Sequence, residues 1–181
     1  MNAFEAGERK VIPAVLLYAR HKGPQDERIL MIHRVPTGLG GAPAKPDYHA
    51  GKWNGLGGKL EADESPLQAA RREMREESGV DLPESAFKPI GVLQFPNFKA
   101  HKNEDWLCYV FVADLTDEQA RSVPSSCAEG QLHWIPSSDI VSLNLWPGDR
   151  HFIPHVLAAK PFIGTLWYEG QNVRDVWIRS L

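Results

Sequence analysis

Apolar and polar positions along the chain fall into short runs, broken by polar and glycine- or proline-rich punctuation. Residues 10–20 hold a nearly unbroken apolar stretch and read as a buried strand; residues 27–34 read as a second, across a polar turn at Gly23-Pro24. Residues 53–56 predict a short strand. Residues 90–98 and 106–115 flank a polar turn at 99–105 and predict a hairpin. In the second arm Leu107, Tyr109 and Phe111 alternate with Cys108, Val110 and Val112, so both faces are apolar and this strand is expected at the centre of a sheet. Residues 131–135 read as a further strand, between helical turns at 117–122 and 137–143. Asp149 is placed to N-cap a helix reaching about residue 160, with Pro154 marking a bend or a later start. Residues 162–168 and 173–178 predict a last hairpin around Glu169-Gly170-Gln171-Asn172.

Residues 1–9 carry no pattern and read as a loose N-terminus. Residues 35–52, rich in Gly and Pro, read as one long loop, of a length that in a compact domain is usually functional or mobile. No repeat or linker divides residues 10–181. Strands mixed with two main helices predict a single α+β domain.

The clearest element is the helix after Ser65. Ser65 suits the N-cap, Pro66 the first helical position, and Gln68 completes a capping box; Gly79 sits where a left-handed residue would end the helix. At about 100° per residue, Leu67, Ala70 and Met74 share one apolar stripe, while Gln68, Arg71 and Arg75 take the outer face. Glu73 and Glu77 lie beside the stripe, with Glu76 close by. Like charges at this spacing destabilise a helix by about a few tenths of a kcal/mol. Carboxylates near a buried edge cost more unless something positive meets them. Arg72 can pair with Glu76, but one guanidinium does not neutralise three carboxylates. A divalent cation does, and oxygen-only ligands favour Mg²⁺, with Mn²⁺ as a substitute. On the helix alone, a solvated Glu/Arg face explains the pattern equally well.

Composition narrows the partners. The net charge is −3, with 43% hydrophobic and 24% charged residues, which is ordinary for a soluble globular chain. That balance gives no general attraction to nucleic acid or an anionic membrane, so an anionic substrate needs a local cation. Cys108 and Cys127 offer neither a disulfide framework nor metal-site spacing. The start of the chain shows no signal-peptide pattern, and the apolar run 11–18 is too short to span a bilayer, so a cytoplasmic location is expected. The oligomeric state is not legible.

The wider pattern breaks the tie on the helix. Gly58, Glu64 and Arg72-Glu73-Met74-Arg75-Glu76-Glu77-Ser78-Gly79-Val80, at their spacing, resemble the Nudix box at every fixed position and at both apolar ones. The resemblance, over residues 58–80, implies a Nudix hydrolase, a family that cleaves nucleoside diphosphates linked to another group. It implies an α/β/α sandwich, with a mixed sheet between helices. It assigns Glu73, Glu76 and Glu77 to the catalytic metal, and Glu64 to pairing with Arg72 so as to orient the helix. Glu77 is the first choice for the base that deprotonates water and Glu73 the second; Gly58 and Lys59 are expected beside the phosphates.

Glu129, in Ala128-Glu129-Gly130-Gln131-Leu132-His133-Trp134, is similar in position to a further metal-binding acid in the oxidised-purine triphosphatases of this family; a solvated loop carboxylate is the alternative. Trp53-Asn54-Gly55-Leu56-Gly57-Gly58-Lys59 and Leu145-Trp146-Pro147-Gly148-Asp149 also resemble the animal MutT-like branch, which acts on 8-oxo-dGTP. By that resemblance Asn54 and Asp149 read the purine edge and Trp146 packs on the base. The chain departs from the branch at Gly148, where a second acid is expected, and in its longer 35–52 loop. The implied activity is Mg²⁺-dependent hydrolysis of a purine or oxidised-purine nucleoside triphosphate to monophosphate and pyrophosphate. Hydrolysis of ADP-ribose, dinucleotides or nucleotide sugars is the alternative. RNA 5′-end processing sits less well with the acidic balance, and a non-catalytic sensor less well with an intact set of box carboxylates.

Overall fold

The structure, a computed structural model, describes residues 9–34 and 48–181. Residues 1–8 of the loose N-terminus expected at 1–9, and residues 35–47 of the loop expected at 35–52, lie outside the described residues; Arg9 is not loose but forms an ion pair with Asp105. Strands β1 (Lys10–Lys22), β2 (Glu27–His33) and β3 (Trp53–Asn54) precede helix α1 (Pro66–Ser78). The hairpin of β4 (Phe87–Lys99) and β5 (Glu104–Leu115) follows, then the short α2 (Asp117–Ser122), β6 (Ser126–Cys127) and β7 (Gly130–Pro136). Helix α3 (Asp149–Leu157) leads into the final hairpin of β8 (Phe162–Glu169) and β9 (Asn172–Ser180).

The strands form one mixed sheet in the order β6-β7-β2-β1-β5-β4-β8-β9, with β3 on β2. β1 runs parallel to β5 and β4 parallel to β8; the other pairings are antiparallel. The two apolar faces of β5 explain its interior position. Val110 and Val112 pack under α3 with Phe152, Ile153 and Val156, whereas Phe111 and Ala113 pack under α1 with Ala69, Ala70 and Met74. The sheet is therefore covered on both faces, giving the α/β/α sandwich. Among the described residues no helix is long and apolar enough to cross a membrane.

Several boundaries differ from those read in the sequence. The strand expected at 53–56 stops at Asn54, because Gly55 turns the chain against Leu17 and Tyr18; Leu56 then bridges Leu17 alone. The turn expected at 137–143 is a single 3₁₀ turn, Ile140–Ser142. Asp149 does not cap α3. Gly148 takes the cap position and Asp149 is the first helical residue. The Gly148 N–H donates to the Tyr168 hydroxyl at 3.2 Å, and a Cβ at 148 would press into that oxygen. Pro154 stays inside α3, which ends at Leu157 with Ala159 in the left-handed region (φ 48) just before Pro161.

The feature that positions the site is a split in the sheet. β1 pairs with β2 through Arg20, His21 and Lys22, and the two strands then part. The segment 56–60 enters the gap: Val15 N–H donates to Gly58 O at 2.8 Å, Leu17 N–H to Leu56 O at 2.7 Å, and Leu60 N–H to Pro13 O at 3.0 Å. A cleft opens where the strands separate.

Candidate active site

Helix α1 starts as its sequence dictates. The Ser65 side chain accepts from Gln68 N–H at 3.2 Å, Gln68 Oε1 accepts from Ser65 N–H at 2.9 Å, and Gly79 closes the other end at φ 73. Losing such an N-cap costs about 1 kcal/mol. Burial of Ala69, Ala70 and Met74 fixes the helix rotation, which carries Glu73 and Glu77 inward with them. Both carboxylates end up against the Gly57-Gly58 segment.

Glu77 is held tightly. Its Oε2 accepts the Gly57 N–H at 2.8 Å, while its Oε1 is buried with no hydrogen-bond partner among the described residues. Burial drives its carboxyl well above the usual range, and the charge of Glu129 adds to the rise. Glu73 is raised as well, by burial first, against the counterpull of Arg72. A Cβ on residue 58 would run into the Glu73 carboxylate, so a glycine is required there by close approach.

Arg72 serves more partners than the Glu76 read from helical spacing. It pairs with both oxygens of Glu64, each at 2.9 Å, and also reaches Glu73 Oε1 at 2.7 Å, Glu76 Oε2 at 3.2 Å and the Lys59 carbonyl at 3.0 Å. Hydrogen bonding to Arg72 lowers the Glu64 carboxyl. Glu129 enters from the turn between β6 and β7, forms an ion pair with Arg34, and lies near enough to raise both Glu73 and Glu77. As they stand, no three His, Cys, Asp or Glu side chains among the described residues are gathered to enclose an ion. The carboxylates converge, with Arg72 drawn in among them.

The cleft beside these acids has a volume of about 770 Å³. Gly57, Gly58, Lys59, Arg34 and Glu129 are in its lining. Asn54, Trp146, Asp149, Tyr168 and Cys108 line the same cleft, so the residues expected to meet a base are brought together. Asp149 is half-buried there, and burial pushes its carboxyl up to about 7 despite the opposing pull of Lys52. Lys59 Nζ lies 5.5 Å from the centre of the Trp106 ring, which also lines the cleft. Trp146 departs from expectation. It is 2% exposed and its face is covered by the stacked ring of Tyr48, so it presents no open plane to a base.

Comparison with known proteins follows the same outline. The NUDIX domain pattern matches residues 9–156. This chain belongs to the Nudix family. Nudix relatives include an oxidized purine nucleoside triphosphate hydrolase of Mus musculus, 28% identical over 144 residues, covering 80% of this chain and 85% of that protein. Its namesake in Danio rerio is 32% identical over 129 residues, covering 71% and 78%. A mutator MutT protein from Bacillus halodurans shares the Nudix fold with a TM-score of 0.72 at 21% identity, covering 92% of this chain and 97% of that one. As a Nudix hydrolase, the protein acts on phosphoanhydride bonds.

Tyr48, Tyr168, Arg34 and Trp106 also line the cleft and were not singled out in the sequence. Tyr48 lies within the Gly/Pro-rich stretch 35–52, which has no periodicity, and Arg34 closes the strand read at 27–34. Nothing local marks either residue.

Proposed function

We propose that the protein is a Mg²⁺-dependent pyrophosphohydrolase of purine nucleoside triphosphates, releasing the monophosphate and pyrophosphate. The observation that carries this reading is Glu77, an acid kept buried with one oxygen unpartnered among the described residues, beside Glu73 and facing the charge of Glu129. Such a placement is costly unless a cation compensates it. Nudix hydrolases use divalent metal ions, and an all-carboxylate donor set fits a hard one such as Mg²⁺, with Mn²⁺ as a substitute. Glu73, Glu76 and Glu77 would hold it, with Glu129 as a further ligand. When bound, the cation supplies charge neutralisation for the phosphoanhydride and a more acidic water.

The chain's own groups do the rest. Glu77 takes the proton from the attacking water, with Glu73 as the alternative base. Arg72, fixed by Glu64, holds the helix so that the acids face the cleft, and Lys59 offsets charge on the phosphates. Asn54 has both donor and acceptor atoms, and ionised Asp149 only accepts, which together suit the N–H donors and carbonyl of a guanine edge. The names of the mouse and zebrafish relatives support a purine, and an oxidised purine such as 8-oxo-dGTP among the substrates. With Gly148 in place of a second acid, discrimination for the oxidised base is expected to be loose.

A second reading, hydrolysis of ADP-ribose, dinucleotides or nucleotide sugars, draws on the lysines in the cleft lining, Lys59, Lys99 and Lys102, which would suit a longer anionic substrate. Turnover of dGTP, 8-oxo-dGTP, dCTP and ADP-ribose separates the two. The proposal expects both purine triphosphates ahead of dCTP and ADP-ribose. Fastest turnover on ADP-ribose would favour the second reading.

A further inference from the structure

We infer that Tyr48 is the ring that meets the substrate base, with Trp146 serving as its backing. The inference rests on the nucleotide reading above and adds to it a residue that decides base binding. Trp146 is enclosed. Tyr48 stacks on it with ring centres 5.0 Å apart and planes 24° apart, and Phe98 meets it edge-on at 5.2 Å and 69°. Its Nε1–H donates to His49 Nδ1 at 3.0 Å, and Lys52 Nζ lies 5.3 Å from its ring centre. A base cannot lie on Trp146 while Tyr48 keeps its place.

Tyr48 is half-buried and lines the cleft together with Asn54 and Asp149. Its ring is held from several directions. The hydroxyl donates to the Phe98 carbonyl at 3.0 Å, and the Phe98 ring stands perpendicular to it at 5.8 Å. An aromatic side chain fixed before binding loses little entropy when a ligand arrives, and a ring face stacks on any base. The cleft of about 770 Å³ has Tyr48 in its lining. Lys99 Nζ lies over the Tyr48 ring, 5.6 Å from its centre, and the exposed His101 ring is 5.4 Å away and tilted by 41°, so these two side chains are the ones a stacking base would displace.

Steady-state kinetics of wild type, Tyr48→Phe and Tyr48→Leu, run on whichever nucleotide the wild type turns over fastest, test the assignment. Tyr48→Phe keeps the ring and should leave KM within about twofold. Tyr48→Leu keeps an apolar side chain but removes the ring and should raise KM at least about fivefold, the low end for losing a base–aromatic stack, with kcat little changed. An unchanged KM in Tyr48→Leu would overturn the inference, and a lowered KM would make Tyr48 an obstruction instead. The wild type supplies an independent readout that survives a poorly folding variant. On adding a non-hydrolysable nucleotide, the Tyr48 ring signals in an NMR spectrum, assigned with Tyr48→Phe, should move upfield by ring-current shift; no movement at saturation contradicts the stack. Absence of purine preference in the wild type would sink the purine reading alone, since the Tyr48→Leu to wild-type KM ratio is still measured on the best nucleotide.

Discussion

Arg72 grips Glu64 with two parallel hydrogen bonds, Nε to Oε1 and Nη2 to Oε2, each at 2.9 Å, across the loop that leads into α1. Both side chains are largely shielded, at 15% and 12% exposure, and hydrogen bonds to charged groups contribute about 1.5–3 kcal/mol. Glu64→Gln should therefore lower unfolding free energy by about that range in a denaturant titration. It should also release Arg72 toward Glu73 and Glu76. Turnover should fall while KM changes little, because the pair touches the helix rather than the base. Unchanged stability and turnover would show that the pair is incidental.

The close approach of Gly58 to Glu73 yields a second prediction. The backbone at 58 is outside the left-handed region, so alanine can adopt it, and the three atoms nearest the added Cβ all belong to the Glu73 carboxylate. Gly58→Ala should leave the fold intact by circular dichroism. It should cut kcat by on the order of 10²-fold, the scale expected for displacing a catalytic group by about 1 Å. Near-normal turnover would remove Glu73 from the chemistry.

Much of this arrangement is legible in the chain because it is local. Ser65, Pro66, Gln68 and Gly79 mark both ends of α1 within a single stretch, and periodicity turns Glu73 and Glu77 toward Met74. The alternation in β5 likewise announces a strand buried on both faces. What escapes the sequence depends on contacts between distant segments. The start of α3 is decided by the approach of Gly148 to the Tyr168 hydroxyl, which no capping rule sees. Likewise the covering of Trp146 requires Tyr48, far away along the chain. The parting of β1 from β2, which opens the cleft, depends on residues 56–60 finding Pro13, Val15 and Leu17.

Asp149 predicts a pH dependence of both stability and binding. Its folded pKa, about 7, lies above the ordinary value of 3.8, so between those pH values the folded state holds a proton that the unfolded state has lost. Stability from this group is present at low pH and lost as pH rises through about 7. Asp149→Asn should therefore raise the thermal midpoint at pH 8 more than at pH 5.5. In binding the sign reverses, since the ionised carboxylate accepts from a purine edge. KM for dGTP should fall as pH rises through 7 in the wild type and stay flat in Asp149→Asn. A KM profile unaltered by Asp149→Asn would take Asp149 out of base recognition.

The most direct measurement is product analysis by ion-exchange chromatography of dGTP incubated with purified protein and Mg²⁺, for the wild type and Glu77→Gln. The wild type should give dGMP and pyrophosphate as first products, with no turnover after chelation and recovery when Mg²⁺ is restored. Glu77→Gln should be slower by at least about 10²-fold, the lower range for losing a positioned acid–base group. First products of dGDP and inorganic phosphate, or near-normal turnover by folded Glu77→Gln, would contradict this account.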